Sequence, residues 1–310
     1  MRTVFMGTPG FAVPILAALL DAGHEVVGVY TQPDRPVGRR GRPAPSPVKE
    51  AAVEEKLPVF QPPSLKRETA QEELAGLAPD VIVVAAYGLF LPKATLDLPP
   101  LGCLNVHPSL LPKYRGPSPV ASAILNGDPD TGVTVIRLDE GMDTGPIVAQ
   151  RETAIGADED GAGLTARLFQ MGAELMVETL PEWAAGRIDA VPQDDAAATT
   201  TSLLKREDGE IDWGQDAARI ARQVRAYQPW PGAFTKSRGK LLKVLEAAEA
   251  DHAADAPPGQ VIALPSGGLG IATVHGTLEV RRLQMEGSRA SDAAEFLRGH
   301  ADVMGAMLGE

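Results

Sequence analysis

The chain has 310 residues, 44 % hydrophobic and 23 % charged, with a single cysteine and a formal net charge of -12 at pH 7. That length suits two domains or one large one with a sizeable core, and the lone Cys103 excludes an internal disulfide and points to a reducing, cytoplasmic setting. No window approaches the roughly 18 continuous apolar residues of a membrane span, and so acidic a chain can hold a polyanion only through a local basic surface.

"RTVFM" (residues 2–6) mixes β-branched and aromatic residues and predicts a first strand. "GTPG" makes the turn, and "FAVPILAALLDAG" predicts a helix closed by Gly23. Gly7 and Gly10 fall short of the G-x-G-x-x-G dinucleotide fingerprint, so they read as tight-turn glycines without a cofactor. "EVVGVYT" (25–31) predicts strand two. Residues 31–50, "TQPDRPVGRRGRPAPSPVKE", carry Arg35, Arg39, Arg40, Arg42 and Lys49 against Asp34 and Glu50. The Pro and Gly content predicts an exposed loop. A net +3 cluster in an acidic protein reads either as a solvated surface loop or as a binding surface for an anionic partner.

Farther on, "ETAQEELAGLA" predicts a helix, "PDVIVVAAYG" and "GCLNVH" strands, "PVASAILNG" a helix, "TGVTVIRLD" and "PIVAQRETAI" two strands, and residues 160–186 a long helix. Strands alternating with helices predict a doubly wound, mainly parallel α/β sheet of Rossmann-like type over residues 1–188, with ligands beyond the carboxyl ends of the strands. Residues 189–207 have no periodicity and read as a linker. Over 208–310 come the helix "GQDAARIARQVRAY" and short strands between Gly-rich turns, which predict a small antiparallel barrel or sandwich. The helix places Arg219, Arg222 and Arg225 on one face, either solvated or phosphate-facing.

Asn105 and His107, two apart on a predicted strand, project from the same face at its end. An amide donor and an imidazole suit an oxyanion developing in acyl transfer; they equally suit loop backbone. Pro108 and Pro112 stiffen the exit. In "LDEGMDTGPI" the loop carries Asp139, Glu140 and Asp143, either an acidic turn or the source of a carboxylate that orients the imidazole and keeps it protonated. The five histidines (24, 107, 252, 275 and 300) show no metal spacing, and Ser109 lacks a nucleophile elbow.

"NVHPSLLPKYRGPSPV" followed by "DEGMDTGPI" resembles the N10-formyltetrahydrofolate-dependent formyltransferases. The likeness covers nearly the whole chain, through "FMGTPGFAVPIL", "TQPDRPVGRRGRPAPSPVK", "AAYGLFLP" and "RAYQPWPGAFT". It implies catalytic roles for Asn105, His107 and Asp143. It also implies 10-formyltetrahydrofolate as formyl donor, no metal, and folate contacts at Tyr87, Gly88, Leu89, Ser109, Leu110, Leu111, Pro112 and Asp139. The C-terminal domain is then expected to be an OB-like barrel. The family members most resembled imply formylation of the α-amine of methionyl-initiator tRNA in support of translation initiation, by a monomer. The tRNA would be held by Arg35, Arg39, Arg40, Arg42 and Lys49 and by Arg222 and Arg225. The "GRRGR" run carries arginines where relatives often carry lysines, which keeps the charge and changes the contact geometry. Rival readings are a formyltransferase for a nucleotide-sugar amine, a nicotinamide-dependent oxidoreductase, and a non-catalytic RNA-binding protein.

Overall fold

A computed structural model of the chain describes residues 1–37, 41–252 and 255–309. It resolves two compact units. One comprises Met1–Pro119, Asp130–Ala154 and Thr165–Thr201; the other comprises Val120–Pro129, Ile155–Leu164 and the chain from Ser202 onward.

In chain order the elements that build the first unit are β1 (Arg2–Gly7), α1 (Val13–Asp21), β2 (Glu25–Tyr30), the hairpin β3 (Arg35–Val37) and β4 (Arg42–Ala44), α2 (Pro47–Glu54), β5 (Val59–Phe60), α3 (Glu68–Gly76), β6 (Val81–Ala85), α4 (Lys93–Leu96) and β7 (Cys103–His107). After α5 (Pro119–Asn126) come β8 (Asp130–Arg137), β9 (Ile147–Ala154) and the long α6 (Gly161–Ala184). The main sheet runs β5-β2-β1-β6-β7-β8-β9. Its first five strands are parallel, and β8 and β9 are added antiparallel. This is the mainly parallel, Rossmann-like sheet expected. The strands β6 and β7 are buried at every residue, as continuous apolar runs covered on both faces must be.

The chain leaves β1 toward β2 and β5, then returns to the other side of β1 to lay down β6 and β7. The strand order therefore reverses beside β1, and the carboxyl ends of β1, β6 and β7 open onto one edge, where ligands of such sheets bind. On β7, Cys103, Asn105 and His107 share a face by strand alternation. Cys103 belongs to a core cluster with Val84, Tyr87 and Leu91, and its thiol, pointing at the Thr95 carbonyl 3.6 Å away, is pushed by burial up to about 12. Val106 faces the opposite way, toward α6. There Gly172 is required by close approach: a Cβ on it would lie 2.4 Å from Val106 Cγ1. The helix is thus seated directly behind the strand segment that carries Asn105 and His107.

The described parts of the basic stretch 31–50 are more regular than a loop. Its start pairs as β3 and β4, with Arg35 opposite Ala44, and its end is the first turn of α2. Ser46 caps that helix by accepting from the Lys49 amide at 3.1 Å, with Pro47 in the first turn. The stretch 189–207, expected as a linker, holds specific pairings: Val191 exchanges two backbone hydrogen bonds with Ile147, and Arg115 bridges Thr199 and Thr201.

The second unit contains α7 (Ala217–Ala226), β10 (Ala233–Ser237), β11 (Lys240–Ala250), β12 (Val261–Ala263), β13 (Leu269–Ala272), β14 (Thr277–Met285), β15 (Ser291–Asp292) and α8 (Ala293–Gly299). Its strands are all antiparallel in the order β10-β11-β14-β13-β12, with β15 on β14, forming an open half-barrel. Ile220, Ala221 and Val224 of α7 recur at helical spacing and enter its core with Val244, Leu278 and Trp213.

Candidate active site

The site lies at the carboxyl end of β7. Asn105 pairs in register with Val84 of β6 and Ile136 of β8, and His107 pairs with Thr134. Both side chains are buried, at 9 % and 4 % exposure. Among the described residues no hydrogen bond engages the Asn105 amide, yet it is not sealed from solvent, so its donors are left for a ligand.

His107 is held on both sides. Its Nε2 lies 2.9 Å from the Tyr114 carbonyl oxygen, which can only accept, so the ring carries its proton on Nε2. Its Nδ1 faces Asp143 Oδ2 at 3.6 Å. Burial lowers the imidazole pKa, and Asp143 and the Tyr114 carbonyl oppose that shift without reversing it. Withdrawal from water thus works against the protonated ring that was expected, and one carboxylate beyond hydrogen-bond distance offsets it only in part.

Asp143 adopts φ 54°, a left-handed conformation uncommon for a residue other than glycine. Its carboxylate accepts from the Gly116 amide at 2.8 Å. The "YRG" motif thus supplies both braces, Tyr114 to the imidazole and Gly116 to the carboxylate. Gln193, from the apparent linker, donates to the carbonyls of Asp143 and Gly145 at 2.8 and 2.7 Å. No local pattern flags that residue, since its partners lie about fifty positions away.

The residues expected around folate divide into two groups. Tyr87, Ser109 and Leu111 have buried side chains. The Tyr87 carbonyl accepts from Thr8 Oγ1 and Gln32 Nε2, and Ser109 Oγ donates to the Lys113 carbonyl at 2.7 Å. Of the three, the Ser109 side chain is an internal brace, and the Tyr87 and Leu111 side chains are packed into the interior. Gly88, Leu89, Leu110 and Pro112 are half-buried or exposed on the same edge. Asp139 is exposed and closes its own turn, accepting from Gly141 N and Thr144 Oγ1 at 3.0 and 2.7 Å. Thr134, missed in the sequence, ties the "PSLLP" segment to β8: its hydroxyl donates to the Ser109 carbonyl and accepts from the Leu111 amide.

Arg39 and Arg40 lie outside the described residues, as does the side chain of Arg42. Arg35 donates to Gln32 Oε1. Lys49 is held by Asp34 at 2.8 Å and by Gln61, and the hydrogen bonds that Lys49 and Gln61 Nε2 donate to Asp34 lower its pKa. In the second unit Arg222 donates to the Leu125 carbonyl at 3.2 Å, at the end of α5, and Arg225 to the Glu159 carbonyl at 2.8 Å. Neither is a simple solvated side chain, as one of the two readings of that helix face had it. Among the described residues no group of three His, Cys, Asp or Glu is arranged to hold a metal ion, and no helix is long and apolar enough to cross a membrane.

A sequence profile described as "Formyl transferase" matches residues 1–180, and one described as "Formyl transferase, C-terminal domain" matches residues 203–301. The chain belongs to the formyl transferase family. Its relatives in that family include the methionyl-tRNA formyltransferase of Roseiflexus castenholzii, 50 % identical over 100 % of this chain and 99 % of the relative. That of Marinobacter nauticus is 45 % identical over 98 % of each. Among solved structures, the methionyl-tRNA formyltransferase of Clostridium thermocellum superposes with a TM-score of 0.56 at 19 % identity, over 81 % of this chain and 94 % of that one, a likeness of fold.

Proposed function

We propose that this chain transfers the formyl group of 10-formyltetrahydrofolate to the α-amine of methionyl-initiator tRNA. The observation that carries the chemistry is the strand end of β7, where an uncommitted Asn105 amide stands on the same face as an imidazole–carboxylate pair. The neutral amine attacks the formyl carbon, a carbon–nitrogen bond forms, and negative charge gathers on the formyl oxygen. Asn105 donates to that oxygen. A neutral His107 takes up the amine proton toward Nδ1, where Asp143 stabilises the imidazolium, and the proton passes on to N10 as the carbon–N10 bond breaks. Positive charge thus arrives when the oxyanion does. Folate would lie along Gly88, Leu89, Leu110 and Pro112, with Tyr87, Ser109 and Leu111 contributing backbone. The chain would act as a monomer in the cytoplasm.

The tRNA acceptor favours this reading over a nucleotide-sugar amine, since relatives at 45–50 % identity over the full length carry that acceptor in their names. Exposed Lys236, Lys240 and Lys243 on the β10–β11 hairpin add cations to those of the basic stretch. Arg222 and Arg225 each commit one donor to a carbonyl and keep others for phosphate. The deciding experiment incubates the protein with 10-formyltetrahydrofolate and methionyl-initiator tRNA and looks for formyl-methionine. Formylation of an amino sugar in its place overturns the assignment.

Replacing Arg39, Arg40 and Arg42 together by Ala is expected to weaken tRNA use and spare folate binding. Each arginine that contacts a phosphate releases counterions, so the variant's log–log salt slope should be shallower by up to about 0.7–0.9 per lost contact. An unchanged slope with unchanged methionyl-tRNA kinetics would mean that the stretch is only solvated surface.

A further inference from the structure

We propose that Gln193 is a positioning residue for formyl transfer, locking the Asp143 turn to the strand end that carries His107; the proposal rests on the function given above. Its amide is used at both ends. Nε2 donates to the carbonyls of Asp143 and Gly145, and Oε1 accepts from Arg115 Nε at 3.0 Å. Only one orientation of the amide meets all three partners, because two are acceptors and one a donor.

Arg115 is the other half of the device. It is 8 % exposed, its guanidinium also donates to Asp195 Oδ1 at 2.7 Å, and its backbone is bridged to Thr199 and Thr201. It stands between Tyr114, whose carbonyl receives His107 Nε2, and Gly116, whose amide meets Asp143 Oδ2. The contacts close a ring, His107 to Tyr114, Arg115, Gln193, Asp143 and back to His107, and Gly116 ties Asp143 to Arg115 a second time. The ring matters because Asp143 sits in a left-handed backbone conformation that a free turn would abandon. The 3.6 Å between Asp143 Oδ2 and His107 Nδ1 must also shorten only slightly to trap a proton. A carboxylate on a turn free to drift would miss that distance.

The test compares Gln193→Ala with Gln193→Glu. The glutamate keeps an acceptor for Arg115 and loses both donors to the turn carbonyls. Both variants are expected to lower kcat by about tenfold or more, the scale of losing such bonds, with KM unchanged for folate and for tRNA. Gln193→Met, which keeps the side chain's length, replaces the alanine variant should that fail to fold. Normal kcat in Gln193→Glu, or a rise in KM with kcat intact, overturns the proposal. Side-chain ¹⁵N spectra of His107 supply a readout that needs no turnover: the ring resonances should move in Gln193→Ala, and unmoved resonances count against the ring of contacts. If the wild-type chain formylates no methionyl-tRNA, the functional reading fails, and these spectra still decide whether Gln193 holds the pair.

Discussion

His107→Asn is expected to fold and to transfer formyl at least about a hundredfold more slowly, the scale of removing a positioned acid–base group or one oxyanion stabiliser. The asparagine side chain is shorter than the imidazole and cannot span from the Tyr114 carbonyl to Asp143. It also cannot accept a proton. Circular dichroism should be unchanged, since the residue lies at the end of β7 and not in the apolar clusters. The pH profile adds a sign. Burial places the folded pKa of His107 below its usual 6.5. Neutral imidazole is the active form, so wild-type rate is complete above that lowered pKa and falls as pH drops through it. The variant should lack this acid limb, apart from whatever the Asp143 carboxylate itself contributes. Activity within threefold of wild type would remove His107 from the mechanism.

Asp143→Asn is expected to lower turnover by roughly 10²–10³, with little change in folate affinity. The amide oxygen can still accept from Gly116, so the turn keeps one brace. The amide nitrogen would then donate to His107 Nδ1 and stabilise the neutral ring, where the carboxylate stabilises the charged one. The geometry survives and the proton's destination does not. Single-turnover rates at saturating folate, beside equilibrium folate binding, separate the two roles. A variant that loses folate binding and keeps turnover at saturation would make Asp143 a binding residue.

The shared face of Asn105 and His107 was legible because strand alternation is strictly local: residues two apart on β7 share a face wherever the strand sits. The sheet was legible for the same reason, since "VIVVA" and "CLNVH" are runs that only a doubly covered strand tolerates. Gln193 was not, because it acts from an irregular segment with no periodicity of its own, two residues past the Val191 bridge. The lowered pKa of His107 was also out of reach: it depends on how far the folded surroundings withdraw the ring from water, a quantity summed over distant residues. The first turn of α2 was a missed local signal, as Ser46 followed by Pro47 is a helix start within a stretch read as loop.

Cys103 gives β7 a reporter of its own. Its thiol is buried, and burial pushes its pKa up to about 12, so near neutrality almost no thiolate is present in the closed strand. A maleimide or disulfide reagent therefore meets a reactive sulfur only when that strand separates from its neighbours. No other cysteine in the chain competes for label. The rate of alkylation in the native protein thus clocks how often the scaffold two residues from Asn105 comes apart, and its slowing on addition of folate would time the ligand's grip on that edge without any assay of chemistry.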